Sequence, residues 1–170
     1  MGSRGQMLWE PDALADPVVI AECEFGLGLF ASSDLMAGDV ILRFTGPQIG
    51  MEEAISKGDA KGNVLQVGPK DYIDTAPPGL FANHSCEPNA GVRNDTVLIA
   101  IEAIAAGAEI RFDYSTTMWE PWDGAWTMRC SCKSRFCRNV VASFFTLPTS
   151  LQARYLSMGI VQQFILHASS

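Results

Sequence analysis

The chain carries the run NHSCEPN at residues 83–89, which brings an amide, an imidazole and a thiol within four positions and then stops the backbone at Pro88. The run lies between the apolar stretch 80–82 and the strand-like apolar stretch 97–101. Neither an amphipathic helix nor an alternating strand has this pattern. Because buried polar groups need hydrogen-bond partners, the run predicts a buried polar turn that is both a functional site and a structural joint.

The composition is that of an ordinary globular protein. The chain has 170 residues, of which 48% are hydrophobic and 18% are charged, enough for one domain with a core and a small appendage. Its apolar runs are shorter than the roughly 18 residues of a membrane span, and its first residues lack the apolar core of a signal peptide. We therefore expect a soluble, cytoplasmic protein with no membrane association.

The formal charge of −7, from 19 acidic and 12 basic residues, argues against direct nucleic-acid binding, because a grip on phosphates depends on Lys and Arg. The charge suits a cationic partner such as a Lys-rich peptide, since a field of one sign attracts the opposite sign. The same acidity also serves solubility alone, so net charge does not choose between these interpretations.

Short strands separated by turn residues dominate the first two thirds of the chain. Strand patterns occur at residues 18–21, 39–44, 63–67, 72–74, 96–101 and 109–112, and a helical pattern at 51–56. Because these strands do not alternate with long helices, we expect a β-rich α+β fold of small, irregular sheets.

The chain divides into an N-terminal extension (1–17), a main domain (18–115), a Trp-containing linker with a cysteine segment (116–147) and a C-terminal helical segment (148–170). The helical segment opens at Pro148, and Gly159 interrupts it before a second helical turn.

Three of the five cysteines form a C-x-C-x4-C pattern at Cys130, Cys132 and Cys137. Closely spaced thiolates suit a tetrahedral metal centre, and the neighbouring basic residues (Arg129, Lys133, Arg135 and Arg138) would compensate their charge. A structural zinc needs a fourth ligand, which Cys23, Cys86 or one of the two histidines could supply. A disulfide framework is less favoured, because the cysteine count is odd and no secretion signal is recognised.

The stretch 26–31 fits G-x-G-x-x-A, the fingerprint of dinucleotide-binding folds. That fingerprint requires a helix directly after the glycines and a parallel βαβ unit around them. Residues 32–39 read instead as a loop and turn, so we reject the dinucleotide interpretation. The glycines still allow a ligand to approach the backbone closely.

Five motifs, in order, resemble those of the SET-domain protein lysine methyltransferases. They are Gly26-Leu27-Gly28, Phe44-Thr45-Gly46, the segment from Ile73-Asp74 to Asn89, the stretch from Glu109 to Tyr114, and the post-SET cysteines 130, 132 and 137. The resemblance covers most of the chain, whose small size is similar to that of bacterial or viral members. It implies a SET-type fold of several small curved sheets with a pseudoknot-like crossing, a zinc-bound post-SET segment and C-terminal helices.

The resemblance also implies an activity, namely transfer of a methyl group from S-adenosyl-L-methionine to a lysine amine of a protein or peptide, leaving S-adenosyl-L-homocysteine. It assigns the cofactor pocket to Gly26, Leu27, Gly28, Asn83, His84 and Tyr114, with Tyr114 as the catalytic residue. It makes Cys86 the fourth ligand of one structural zinc, beside Cys130, Cys132 and Cys137. Cys23 then becomes a small buried apolar residue, and Ser85 ties the turn together.

The chemistry sets its own requirements. Methyl transfer from a sulfonium to an amine is an in-line displacement, which needs alignment and a neutral nucleophile. Free lysine has a pKa of about 10.4, so the site must favour the neutral amine by desolvation and nearby positive charge. A tyrosine with an ordinary pKa of about 10 is a poor base, and we therefore assign Tyr114 a positioning and electrostatic role.

One residue that matches the family pattern bears on the product, and four others depart from the pattern. Phe112 stands where the family sets the degree of methylation, and a Phe there implies di- or trimethylation. Phe44 replaces a usual tyrosine in the lysine channel, and Leu80 replaces an arginine. Lys133 and Asn139 stand where the zinc motif often has glycines.

Two other function classes compete with the enzyme. A SET-like binding or scaffold module with weak or no turnover is consistent with Phe44 and Leu80. A thiol hydrolase would need His84 and Cys86 to meet, and we expect these side chains to point to opposite sides of the chain. Structural interpretations also remain open: His84 as a core histidine, Tyr114 as a packed ring, Asp74 and Asp113 as turn acceptors, and Trp119, Trp122 and Trp126 as a cover for the core.

Overall fold

The fold is known from a computed structural model that describes residues 17–58, 63–119 and 126–168. Within these residues the strands are, in chain order, β1 (Val18–Cys23), β2 (Gly26–Ala31), β3 (Val40–Arg43), β4 (Gln48–Gly50), β5 (Val64–Gln66), β6 (Asp71–Asp74), β7 (Asn83–His84), β8 (Ala90–Arg93), β9 (Val97–Ala100), β10 (Glu109–Phe112), β11 (Met128–Arg129) and β12 (Val140–Val141). The helices are α1 (Met51–Ser56), α2 (Thr149–Met158) and α3 (Gln163–Ala168).

The largest sheet has the strand order β1-β2-β10-β8-β9-β3. Its neighbouring strands are antiparallel, with two exceptions: β10 runs parallel to β8 and to the short strand β7. Two smaller antiparallel sheets, β4-β6-β5 and β11-β12, complete the described strands. The expectation of a β-rich fold with several small sheets is confirmed.

The six expected strands all contain an observed strand, and the expected helical turn at 51–56 is α1. Strand β2 was not expected, because its two glycines favoured a loop. Residues 26–31 pair with both β1 and β10, and the chain continues into the loop and turn of residues 32–39. The rejection of a dinucleotide-binding motif is therefore confirmed.

Strand β9 explains how the C-terminal helices belong to the same core. All four of its residues are buried, as expected for a strand that is covered on both faces. Leu98 and Ala100 face the main core, whereas Val97 and Ile99 pack in a second cluster with Tyr155 of α2 and residues of α3. The helical segment after residue 148 is thus packed against the sheet.

Glycines make this packing possible at two positions. Gly159 ends α2 in the left-handed conformation (φ 65°), which favours glycine. A Cβ atom at Gly91 of β8 would lie 2.6 Å from the Ile160 side chain, so only glycine lets Ile160 sit on the strand.

A third cluster joins the small sheet β4-β6-β5 to the segment before the cysteines. Trp126 is 5% exposed, and its ring centroid lies 5.2 Å from that of Tyr72. Trp119 is partly buried beside the C-terminal helices. Both tryptophans cover the core as one interpretation expected, and Trp122 lies outside the described residues. None of the described helices has the length and apolar character needed to cross a membrane.

Candidate active site and metal centre

The NHSCEPN run forms the turn between β7 and β8, and both strands lie beside β10. Asn83 pairs with Arg111, and His84 pairs with Phe112. The backbone N–H of Ser85 donates to the Phe112 carbonyl at 3.1 Å. The Ser85 hydroxyl closes the turn, since it accepts from the Glu87 N–H at 3.0 Å and donates to the Glu87 carbonyl at 3.1 Å. The predicted buried polar turn is thus present, and Ser85 ties it together.

Asn83 links the two segments that were expected to bind the cofactor. Its side-chain amide donates to the Leu27 carbonyl and to the Glu109 carboxylate, both at 3.1 Å. Because both amide hydrogens are used in this way, the amide oxygen is the atom left for a ligand. Burial opposes the charge on Glu109, but hydrogen bonds from Arg111 and Asn83 lower the pKa of this carboxyl below its usual range.

Glycine is required at positions 26 and 28 for two different reasons. Gly26 has φ 104°, a backbone conformation that other residues rarely adopt. A Cβ at Gly28 would lie 2.8 Å from the Glu109 carboxylate, so Gly28 makes room for the group that holds Asn83. Sequence analysis gave the glycines a ligand-approach role only, and this packing role was missed.

A pocket of about 280 Å³ opens beside Asn83. Its lining comes from the β1–β2 turn, the NHSCEPN run, the turn after β10, strands β11 and β12, and the cysteine segment: Phe25, Asn83, His84, Tyr114, Met128, Arg129, Cys130, Ser131, Cys132 and Val141. We call it the cofactor pocket. Of the predicted cofactor residues, Asn83, His84 and Tyr114 line it directly. Gly26, Leu27 and Gly28 lie on β2 behind Phe25, and the Leu27 carbonyl is held by Asn83.

A second, narrower pocket of about 50 Å³ lies on the other side of Tyr114. We call it the channel. Phe44 and Phe112 line it as expected, and their rings meet edge-on with centroids 5.8 Å apart. The Phe112 ring also packs on that of Tyr114, at 4.8 Å between centroids. A Cβ at Gly79 would lie 2.7 Å from the Phe44 ring, so this glycine makes room for the channel wall.

Tyr114 therefore lines both the cofactor pocket and the channel, as Met128 also does. Its hydroxyl donates to the Ala82 carbonyl at 2.9 Å. Burial raises the pKa of this phenol, so the group stays protonated at neutral pH. This agrees with the expectation that Tyr114 positions groups by hydrogen bonding and does not act as a base.

His84 joins Tyr114 to the cysteines. Its Nδ1 accepts from the Tyr114 backbone N–H at 3.2 Å, and its Nε2 lies 3.3 Å from the Cys86 sulfur. Burial lowers the pKa of His84 to about 4, so the ring is neutral. A neutral ring that accepts at Nδ1 carries its proton on Nε2, which therefore donates to Cys86.

This contact corrects one expectation. His84 and Cys86 were expected to diverge, yet they touch, because residues two apart on an extended chain share a face. The thiol hydrolase is disfavoured for another reason. Cys86 is 6% exposed, and burial raises the pKa of its thiol, whereas a nucleophilic cysteine needs access and a lowered pKa.

The cysteines form a cluster that fits a tetrahedral zinc. The ligand atoms of His84, Cys86, Cys130 and Cys132 all lie within 4.8 Å of one another. The Cys86 and Cys130 sulfurs are 3.7 Å apart, close to the roughly 3.8 Å that tetrahedral geometry gives for Zn–S bonds of about 2.3 Å. The Cys137 thiol lies beside those of Cys130 and Cys132.

There are thus five candidate ligands for four positions. Because His84 uses Nδ1 as an acceptor and carries its proton on Nε2, it has no free lone pair for a metal. That leaves the four cysteines that the family resemblance named, of which Cys137 is not in the group whose ligand atoms all lie within 4.8 Å of one another. Backbone N–H groups support it, since Cys86 N lies 3.5 Å from the Cys132 sulfur and Arg138 N lies 3.4 Å from the Cys86 sulfur.

The surroundings of the thiols shift their pKa values in different directions. Burial raises the pKa of Cys86 and of Cys130, so an anionic cluster here needs a compensating positive charge. Burial would also raise the pKa of Cys132, but backbone N–H groups of Cys86 and Ser134 lower it to about 7. A divalent metal supplies the missing charge and holds all ligands as thiolates.

Sequence analysis missed a buried ionic junction at Asp113, which is 1% exposed. Its carboxylate accepts two hydrogen bonds from Arg138, at 2.7 and 2.8 Å, and one from the Tyr155 hydroxyl at 2.9 Å. The expected turn bond is also present, from Ser115 N at 3.1 Å. Arg138 was expected to offset thiolate charge. Its charge does act to lower the pKa of Cys86, while its guanidinium pairs with Asp113 and its backbone N–H points to the Cys86 sulfur. No spacing rule connects residues 113, 138 and 155.

Comparison with known proteins agrees with this geometry. Residues 26–115 match the SET domain family. The chain is 29% identical over 136 residues to the histone-lysine N-methyltransferase ASHH1 of Arabidopsis thaliana, covering 69% of this chain and 27% of that protein. It is 35% identical over 132 residues to the histone-lysine N-methyltransferase ash1 of Drosophila melanogaster, covering 68% of this chain and 6% of that protein. The chain thus spans about a quarter or less of these relatives.

The fold has matching solved structures. A Chaetomium thermophilum polycomb repressive complex 2 bound to S-adenosylmethionine matches with a TM-score of 0.54 and 21% identity, over 61% of this chain and 16% of that chain. Since the family match covers more than half of the residues, the chain belongs to the SET domain family. The predicted SET-type fold is confirmed.

Proposed function

We propose that the protein transfers methyl groups from S-adenosyl-L-methionine to a lysine amine of a protein substrate. One observation carries the proposal: Tyr114 lines both the cofactor pocket and the channel. A group-transfer enzyme with two reactants needs two pockets that meet at the reacting atoms, and this side chain lies at their boundary. The named activities of the relatives point the same way.

The two pockets suit the two reactants. The cofactor pocket offers polar groups from Asn83 and His84 and the aromatic face of Phe25, which fit an amino acid moiety and a purine ring. The channel is narrow and has aromatic walls at Phe44 and Phe112, which fit an alkyl chain that ends in an amine.

The cofactor supplies an electrophilic methyl group on a positively charged sulfur. The channel favours the neutral lysine amine, because its apolar walls penalise an ammonium ion. The Tyr114 hydroxyl and the Ala82 carbonyl define the polar rim at which the amine is aligned. No carboxylate lines the channel among the described residues, which also disfavours the protonated amine.

We further propose that Cys86, Cys130, Cys132 and Cys137 hold one structural zinc, and that residues 130–137 form a post-SET segment. The sulfur spacing and the backbone N–H···S contacts support this. The apolar channel supports transfer to the di- or trimethyl level. A lysine-bearing protein, of which a histone is the first to test, is the proposed substrate.

The direct test incubates the purified protein with methyl-labelled S-adenosylmethionine and core histones or a Lys-rich protein mixture, followed by mass spectrometry of the labelled peptides. We expect label on lysine. Tyr114→Phe should lower kcat on the order of 100-fold, since a small misplacement of the reacting groups costs about 10²-fold. Cofactor affinity should change little, because the ring and the other pocket residues remain.

A scaffold role is the competing function, and the same experiment separates the two. A wild-type protein that binds S-adenosylmethionine by calorimetry but labels no protein would favour the scaffold. Tyr114→Phe activity equal to wild type would show that the catalytic assignment is wrong.

A further inference from the structure

The Asp113 carboxylate joins three parts of the chain that are distant in sequence. Asp113 directly precedes Tyr114 and caps the turn at Tyr114–Thr117 through Ser115 N. Arg138 follows the last cysteine of the metal cluster, and Tyr155 belongs to helix α2. All three meet within hydrogen-bond distance. Asp113 and Tyr155 are each 1% exposed, and the Arg138 side chain is 18% exposed.

Arg138 is a double link to the metal cluster. Its guanidinium binds Asp113 through two nitrogens and also reaches the Ser115 hydroxyl at 3.2 Å. Its backbone N–H points to the Cys86 sulfur at 3.4 Å. A displacement of Asp113 therefore shifts the neighbouring Tyr114. Through the Arg138 side chain it also shifts the backbone N–H that points to the Cys86 sulfur.

Tyr155 completes this junction from outside the SET segment at 26–115. Its hydroxyl takes an Asp113 lone pair that the guanidinium and Ser115 leave open, and its ring packs among Val97, Ile99 and other buried residues. Burial and the Asp113 charge raise the pKa of this phenol, so it remains a donor. A buried carboxylate that loses one such donor bears an unmet acceptor, which is costly.

We propose that Tyr155 is a positioning residue of the methyl-transfer site. Tyr155 holds Asp113, and Asp113 in turn fixes Tyr114 and Arg138, which lies near the end of the cysteine-bearing segment 130–139, called the metal loop below. The proposal rests on the function proposed above. It gives α2 a role in the active site, in addition to its role in the core.

The test compares Tyr155→Phe with Ile160→Val. The first removes one hydroxyl and keeps the buried ring. The second removes one methylene from a side chain of the same hydrophobic cluster. It keeps both the Tyr155 hydroxyl and the backbone hydrogen bond from Ile160 N to the Tyr155 carbonyl, so it controls for a general loss of stability. Both are studied as the full, zinc-loaded chain, with melting temperatures measured alongside.

We expect three measured quantities to change in Tyr155→Phe but not in Ile160→Val. Amide hydrogen exchange at residues 113–117 should speed up about tenfold or more, as expected for loss of a hydrogen bond to a charged group. Release of zinc to a chromogenic chelator should be faster on the order of tenfold, since outer partners of metal ligands affect affinity by about 10–100-fold. The kcat for methyl transfer should fall, with the peptide KM changed much less.

The outcomes are separable. If wild type transfers no methyl group, the proposed function fails, while hydrogen exchange and zinc release still decide the role of Tyr155. If the two variants match in exchange and zinc release at equal melting temperature, Tyr155 is only a packing residue and the proposal is overturned. A wild-type protein isolated without zinc would overturn the link to the metal loop.

Discussion

At the scale of single residues, each member of the NHSCEPN turn has a distinct task. Asn83 joins Leu27 to Glu109, His84 joins the Tyr114 backbone to Cys86, and Cys86 faces the other thiols. The neutral His84 is therefore more than a core histidine, although its ring makes the two hydrogen bonds that such a residue would make. The turn is a site and a joint at once because neighbouring side chains serve different partners.

Phe112→Tyr tests the link between the channel and the degree of methylation. The new hydroxyl would enter a pocket whose nearest rings, Phe44 and Tyr114, lie 5.8 and 4.8 Å away between centroids. A buried hydroxyl needs a partner, and a water held there would crowd a methylated amine. We expect mass spectrometry to show a shift from di- and trimethyl products towards monomethyl lysine.

Phe44→Leu is the matched control, because it changes the same wall without adding a polar group. It should alter the rate but leave the higher methylation states present. An unchanged product distribution in Phe112→Tyr would contradict the proposed role of Phe112.

The candidate site was predictable from sequence where its residues lie in local motifs. Asn83, His84, Cys86, Tyr114 and the three later cysteines were all named, and the structure brings their side chains into one region. The contacts of Arg138 and Tyr155 with Asp113 were not predicted, because only the folded chain brings these residues together. The contact of His84 with Cys86 could have been found from the alternation of an extended chain.

At the scale of elements, strand prediction succeeded where an apolar run marks the strand and failed where glycine lies inside it. Residues 97–100 are apolar throughout because both faces of β9 are covered. Strand β2 contains Gly26, which has a positive φ, and Gly28, where a Cβ would meet the Glu109 carboxylate. Strand β8 contains Gly91, where a Cβ would meet the Ile160 side chain. In these strands the tertiary contact, not local propensity, determines the residue.

Gly91→Ala should destabilise the protein by about 1–3 kcal/mol, as typical for overpacking. The added Cβ would lie 2.6–2.8 Å from three atoms of Ile160, which is itself buried. The measurement is the midpoint of urea unfolding. Gly50→Ala is the control, since no atom lies within 4 Å of its Cβ position, and it should change stability by about 0.5 kcal/mol or less. Equal midpoints for the two variants would contradict this packing account.

The metal loop contains two residues in the left-handed conformation, Lys133 (φ 59°) and Asn139 (φ 61°). These are the two positions at which the family pattern often has glycine. The backbone keeps the left-handed conformation here, but a residue with a Cβ adopts it at a higher conformational energy than glycine does. Asparagine tolerates this region better than most residues, whereas lysine does not. Lys133 is therefore the strained position.

Lys133→Gly should stabilise the zinc-loaded protein, by up to about 1 kcal/mol, because it removes a left-handed non-glycine residue. The Lys133 side chain is exposed, and its ion pair with Glu24 contributes little. Lys70→Gly, at an exposed position without a positive φ, should instead lower stability slightly. Thermal unfolding of both variants with saturating zinc checks the difference in sign, and a loss in both would refute it.

At the scale of the whole molecule, the metal cluster forms part of the cofactor pocket. Cys130 and Cys132 line this pocket together with Asn83 and His84. The segment that carries the cysteines is held to the sheet by Asp113 and to the C-terminal helices through Tyr155. The cysteine cluster, this pocket and the C-terminal helices are thus connected by direct contacts.

Zinc removal should therefore weaken S-adenosylmethionine binding as well as stability. Elemental analysis should find about one zinc per chain, and chelation should lower cofactor affinity on the order of tenfold or more, because one wall of its pocket loses its anchor. Calorimetric titration before and after chelation, and again after zinc is restored, measures the coupling. Unchanged affinity in the metal-free protein would show that the pocket and the metal are independent.

The position of Tyr114 also has a consequence for ligand design. Because Tyr114 lines two pockets of very different volume, a bisubstrate compound could occupy both, with a nucleoside-bearing head on the Asn83 side and a short alkyl arm on the Phe112 side. Joining the two fragments makes the second binding event intramolecular, and effective concentrations for short linkers are in the millimolar range. The affinity of such a compound would depend on how closely its linker follows the gap beside the Tyr114 hydroxyl.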